Sequence, residues 1–212
     1  RVALNNIAVA DPAYTLPFLI CIIVLMFFKR TSTKRKLWLK LGVGISSIYM
    51  LFTLGNKLYV DSIFRKSLKE SNITATRFST QPAIFNNVLW YAIAENSTAY
   101  YVADYSLFDT KNRFLNFREV PKQRDLKPSV YKDIEDLAWF SNQYYSIYKL
   151  NKNEYLYNDL RYPLLDLDNP NTSVFSLTLY KDGNRLNMKP FKPKFDSLND
   201  IISQLWERIK GI

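Results

Sequence analysis

Residues 13–28 read AYTLPFLICIIVLMFF and residues 41–56 read LGVGISSIYMLFTLGN, and neither stretch holds a charge. Between them lie Lys29, Arg30, Lys34, Arg35, Lys36 and Lys40, and Lys57 closes the second run. Sixteen helical residues rise ~24 Å, against ~30 Å for a hydrocarbon core. Each run is a little short alone, but flanking lysines can snorkel, and Trp38 and Tyr59 suit the two interfaces. Residues 1–60 therefore read as a transmembrane helical hairpin, with a lipid bilayer as partner. The competing reading is a helix pair buried in a soluble core. Gly42, Gly44, Ser46, Ser47, Thr53 and Gly55 suit close helix contact in lipid. Tyr49 sits mid-run, so its hydroxyl needs a partner on the other helix. Short loops rich in Lys and Arg stay in the cytoplasm. The basic segment 29–40 is thus expected inside, and everything after Lys57 outside. The first run lacks the basic start and small-residue cleavage site of a signal peptide. The chain opens on Arg1 and not Met, as a piece of a longer protein would.

The net charge is +10 over 212 residues. Residues 1–60 hold eight Lys/Arg and one acid, Asp11, whereas residues 61–212 hold 21 Lys/Arg and 18 acids. The excess base is local to the apolar runs, so no nucleic-acid partner is expected. Histidine is absent, which excludes a Ser-His-Asp arrangement and any His metal ligand within this chain. Gly numbers only five, and no dinucleotide or P-loop motif occurs. The single Cys21 cannot make an internal disulfide and reads as a small buried hydrophobe.

Lys57–Ser71 keeps a helical spacing of Leu58, Ile63, Phe64 and Leu68, so the second membrane helix is expected to run on into a juxtamembrane helix that ends at Asn72. Its basic residues read as a solvated face. Beyond it, strand signals dominate. Val88–Ala94 and Ala99–Leu107 form one expected hairpin, and Tyr144–Leu150 with Tyr155–Leu160 a second. Ser173–Lys181 turns at Asp182-Gly183 into Arg185–Met188, a third. Helices are expected over about 128–142 and 197–210. The fold class is α+β: a transmembrane helical hairpin over 1–60, then a mostly antiparallel sheet domain over 61–212.

Strand tyrosines such as Tyr91, Tyr100, Tyr105, Tyr145 and Tyr157 read first as sheet packing, and second as a glycan- or peptide-binding face. Asp166 and Asp168 share one side of an extended segment. Asp133, Glu135 and Asp136 crowd a helix start, and Asp104 and Asp109 lie near a strand end. Any of these groups offers Ca²⁺ ligands or an acid–base pair, but none matches a dedicated calcium loop, so capping or solvated roles are expected first. Asn72-Ile73-Thr74, Asn96-Ser97-Thr98 and Asn171-Thr172-Ser173 fit the glycosylation sequon, which matters only in a eukaryotic secretory pathway.

Three strings carry a family resemblance. They are Asp11-Pro12-Ala13-Tyr14-Thr15-Leu16-Pro17, then Pro82-Ala83-Ile84-Phe85-Asn86-Asn87-Val88-Leu89-Trp90, and Tyr105-Ser106-Leu107-Phe108-Asp109. With them, most of the chain resembles the C-terminal portion of the YdjM-like (LexA-binding, inner-membrane-associated) bacterial family of membrane-bound, metal-dependent hydrolases. The resemblance implies further N-terminal membrane helices of the same protein as partners. It implies a divalent metal in the intact protein, and a bacterial inner-membrane location with an extracytoplasmic C-terminal domain. Those helices carry the family's His and Asp motifs. In this chain only Asp11 is a candidate metal residue. Its alternative role is capping of the first helix, with Pro12 at the first helical position. The expected function is hydrolysis of an unidentified substrate, with this portion inactive alone. The alternative is a non-catalytic, membrane-tethered module that binds envelope glycan or protein.

Overall fold

The computed structural model describes residues 3–8, 10–162, 173–191 and 198–212. Among them it forms helices α1 (Pro12–Met26), α2 (Thr33–Glu70), α3 (Asp133–Phe140) and α4 (Leu198–Ile209). The strands are β1 (Arg77–Pro82), β2 (Leu89–Glu95), β3 (Ala99–Ser106), β4 (Arg118–Pro121), β5 (Tyr145–Lys149), β6 (Glu154–Asp159), β7 (Ser176–Asp182) and β8 (Arg185–Pro190). They make two four-stranded sheets, ordered β1-β2-β3-β4 and β5-β6-β7-β8. The class is α+β. The pair Asp166 and Asp168 lies outside the described residues, as does most of the third sequon.

The second apolar run and the segment after it form one unbroken helix of 38 residues, ~57 Å long. It starts at Thr33, so Lys34, Arg35 and Lys36 ride on its first turns. The connection expected over 29–40 shrinks to residues 27–32. The helix stops as expected at Asn72, which takes φ +55°. Asn72 N donates to Lys69 O at 3.1 Å and Ile73 N to Leu68 O at 2.9 Å, a left-handed C-terminal cap.

The chain divides into two compact units. The first comprises Arg1–Ala92, Ala103–Asn116 and Glu207–Ile212. The C-terminal half of α2, beyond the expected junction at 60/61, belongs to it. Val60, Ile63, Phe64, Ser67 and Leu68 are buried there. Phe64 meets Phe78 at 5.3 Å and Phe114 at 4.8 Å between ring centroids. The end of the chain is clasped in the same unit. Arg208 holds Asp109 through both carboxylate oxygens, at 2.6 and 2.7 Å, and Asp104 at 2.7 Å. Ser106 Oγ donates to Ile209 O at 2.6 Å. Gly211 takes φ +80°, and a Cβ there would meet Phe108 O at 2.6 Å.

The second unit comprises Ile93–Val102 and Phe117–Trp206. Its core sets α3, through Ile134, Leu137 and Ala138, against Tyr145, Ile147, Tyr155, Tyr157, Leu179 and Leu186. Two of its hairpin turns use the same device. Asn96 Oδ1 accepts from Thr98 N and Ala99 N at 2.9 and 2.8 Å. Asn151 Oδ1 accepts from Asn153 N and Glu154 N, both at 3.0 Å. The strands β1 and β4 were not expected. Both are edge strands ending in proline, at Pro82 and Pro121; the ladder tolerates proline there, while the sequence pattern argues against a strand. Helix α3 is shorter than expected. Residues 128–131 turn, with Val130 N and Tyr131 N on Lys127 O. Beyond α3, Asn142 and Gln143 take φ +52° and +66°, which no helix continues through.

Asp133, at the start of α3, is 4% exposed. It accepts three bonds from Arg185, at 3.0, 3.1 and 2.7 Å, and one from Leu186 N at 2.9 Å. The Arg185 guanidinium holds its carboxyl below the ordinary carboxylate range, against the opposing effect of burial. A depressed folded value means that this stabilisation is complete above the unfolded carboxylate range. It is lost as pH falls through the folded value. Acid unfolding should show it: the stability advantage of wild type over Asp133→Asn should shrink as pH drops from 6 to below about 4. An advantage independent of pH would mean that Arg185 does not act through charge.

Candidate functional site: the helix pair and its polar end

Helices α1 and α2 run antiparallel, and the contacts between them descend in order. Near the turn, Arg35 Nη1 donates to Leu25 O at 2.9 Å and Phe28 O at 3.1 Å, covering carbonyls at the end of α1. Next, Gly42 packs on Cys21, with 3.0 Å between a built Cβ and Cys21 Cβ. Both residues are buried. Gly44 and Gly55 have open space instead, so of the three glycines only Gly42 serves close helix contact. Tyr49 finds the partner its position demands: its hydroxyl donates to Asp11 Oδ2 at 2.7 Å.

Asp11, the one sequence candidate for metal ligation, is 3% exposed. Its Oδ1 accepts from Ala13 N at 2.9 Å, capping α1 with Pro12 in the first turn. Each oxygen of Asp11 therefore has a hydrogen bond within the helix pair. Among the described residues, no three His, Cys, Asp or Glu side chains gather as a metal set. Asp104 and Asp109 are taken by Arg208, and Asp133 by Arg185.

A buried polar network follows at the same end of the pair. Asn6 Nδ2 donates to Thr53 Oγ1 at 2.8 Å, and Thr53 Oγ1 donates to Met50 O at 2.8 Å. Asn87 Nδ2 donates to Asn6 O at 2.7 Å. Asn56 Nδ2 donates to Asn87 Oδ1 at 2.6 Å and Asn87 O at 2.8 Å. The indole of Trp90 also donates to Asn87 O, at 3.2 Å. Sequence reasoning missed Asn6, Asn56 and Asn87. The available signal was that Asn56 bounds the second apolar run and Asn87 stands in the second resemblance string. One turn on, Lys57 Nζ is matched by Asp61 at 2.6 Å and Thr80 at 2.7 Å.

Around these polar contacts the helices present apolar side chains outward. Leu16, Ile20 and Met26 on α1 are 54–77% exposed, and Ile48, Leu51 and Phe52 on α2 are 54–69% exposed. Among the described residues, α2 is the one helix long and apolar enough to cross a membrane; α1 is apolar but shorter, at 15 residues. The strand tyrosines point the other way. Tyr91, Tyr100, Tyr105, Tyr144, Tyr145, Tyr155 and Tyr157 are all buried. Tyr100 donates to Gln143 O at 2.8 Å and Tyr157 to Leu137 O at 2.9 Å. Burial pushes both hydroxyls above the ordinary tyrosine range. These seven pack in the sheet cores, whereas Tyr101, Tyr148 and Tyr180 are half-buried.

No family, curated protein or solved structure matches this chain.

Proposed function

We propose that this chain is a bacterial inner-membrane protein in which α1 and α2 cross the bilayer and hold the sheets outside the cytoplasm. Its role in this reading is to bind an envelope partner, glycan or protein, and not to catalyse within these residues. The observation that carries the reading is the exposed apolar belt on α1 and on α2 as far as Tyr59. Such a belt is costly in water and favourable in hydrocarbon. The six basic residues between Lys29 and Lys40 mark the cytoplasmic end. The paired state of Asp11, Asp104, Asp109 and Asp133 favours binding over catalysis. Trp139, 66% exposed, and Trp206, 58% exposed, contribute aromatic surface.

A reporter that works only outside the cytoplasm, fused after Ile212, should be active, and one that needs the cytoplasm should be silent. The reverse result overturns the orientation. Parallel assays separate binding from hydrolysis. Saturable binding to envelope glycan or protein supports the module. Bound zinc or manganese together with hydrolysis, both lost in Asp11→Asn, supports the YdjM-like hydrolase reading. That second reading rests on the resemblance carried by the Asp11–Pro17 string.

A further inference from the structure

The β1–β2 turn presents two large apolar side chains outward. Ile84 is 44% exposed and Phe85 is 60% exposed. Phe85 also takes φ +66°, a conformation that bulky residues seldom adopt and that surrounding structure must impose. The turn is firmly braced. Asn86 Nδ2 donates to Ile84 O at 3.0 Å, and Asn86 Oδ1 accepts from Val88 N at 2.9 Å and Leu89 N at 2.7 Å. Ala83 N donates to Leu89 O at 2.8 Å. Folding thus holds an exposed aromatic ring at a strained position, where glycine or asparagine would fit better.

The depth of this turn is set by the network described above. Asn87, two residues after Phe85, is bonded to Asn56, the last residue of the uncharged run on α2. Exposed apolar residues surround that level. Leu51 and Phe52 precede Asn56 on α2, and Leu58, 71% exposed, and Tyr59, 46% exposed, follow it. Leu4, 62% exposed, lies two residues before Asn6, which bonds to Thr53 on α2. The next charge along α2 after Asn56, Lys57, is matched by Asp61. The turn therefore continues the apolar belt of α2 at the end remote from the basic connection.

We propose that Ile84 and Phe85 form a wedge that dips into the outer leaflet of the bilayer, its occupant being lipid acyl chain just below the headgroups. The proposal rests on the membrane reading of α2. A second anchor at this depth fixes the first unit against the bilayer surface, where a single helix pair leaves it free to tilt.

The test uses the full chain in vesicles of phosphatidylcholine and phosphatidylglycerol, with Cys21→Ser so that a nitroxide label attaches at one site. The labelled positions are Phe85→Cys, Leu51→Cys within the apolar run, and Lys69→Cys, ~20 Å further along α2 than Asn56. Thermal melting checks that each folds like the parent. Relaxation by oxygen, which concentrates in lipid, is compared with relaxation by a water-soluble nickel chelate. The expected result is that positions 85 and 51 favour oxygen several-fold over position 69. If position 51 favours oxygen while 85 behaves like 69, the wedge is overturned and the membrane reading stands. If all three behave like 69, the membrane reading falls and the wedge with it.

Discussion

Phe64→Ala is expected to destabilise the protein by about 3–5 kcal/mol, the usual cost of deleting a fully buried aromatic ring. Phe64 has no exposed surface. Its ring packs edge-on to both Phe78 on β1 and Phe114 after β3, an arrangement worth more than its area alone. The cavity has little means of collapse. On one side is the rigid helix α2. On the other, Phe114 is held by its own N–H, which donates to Ser67 Oγ at 2.9 Å. A loss of that size is a large share of the ~5–15 kcal/mol that holds an ordinary domain. Thermal or denaturant unfolding in detergent measures it. A loss below about 1 kcal/mol would mean that the C-terminal half of α2 is not the core of the first unit. Phe64→Leu retains most of the apolar volume and should lose distinctly less.

Asn87→Ala should produce the second large effect, by unlatching the polar end of the helix pair. The substitution removes the donor to Asn6 O and one of the two acceptors of Asn56 Nδ2, leaving it only the backbone Asn87 O. Asn6 and Asn56 are 5% and 8% exposed, so water cannot readily replace what is lost. Each buried polar group left unmatched costs about 1–3 kcal/mol. Asn87→Asp should be no rescue, because a carboxylate accepts from Asn56 but cannot donate to Asn6 O. The neighbouring Asn86→Ala serves as a control: it loses bonds within the β1–β2 turn and none to the helices. Two measurements check the latch. Unfolding in detergent should show the stability loss, and protease cleavage near residues 84–87 should rise in Asn87→Ala. Unchanged stability and unchanged cleavage would show that the helix pair and the turn are joined by other contacts.

Much of the fold is legible in the sequence because the decisive signals are local. The uncharged runs, the alternation of Phe175, Leu177 and Leu179, and the Asp182-Gly183 turn each act over a few residues. The α+β class and the β2–β3, β5–β6 and β7–β8 hairpins follow from them. Gly183 indeed takes φ +56° at its turn. The demand of Tyr49 for a partner was also readable, since a hydroxyl within an apolar run needs one. What escaped were features whose cause lies far away in the chain. Edge strands β1 and β4 exist because β2 and β3 offer them ladder partners, and their own residues carry little preference. Asn87 is 31 residues from Asn56 and 81 from Asn6, so no local pattern could pair them.

The sequence alone determined where apolar surface is concentrated and which end of the helix pair is basic. Hydrophobicity and charge belong to each residue whatever its neighbours. Only the tertiary structure decided which polar groups satisfy one another. It assigned Asp11 to Tyr49 and the first turn of α1, Asp109 to Arg208, and Asp133 to Arg185. It also placed the C-terminal half of α2 in the core of the first unit, where Phe64 packs on residues from β1 and from the segment after β3. A hydrogen bond or a packed ring depends on two groups meeting at ångström precision, and that meeting is a property of the folded chain.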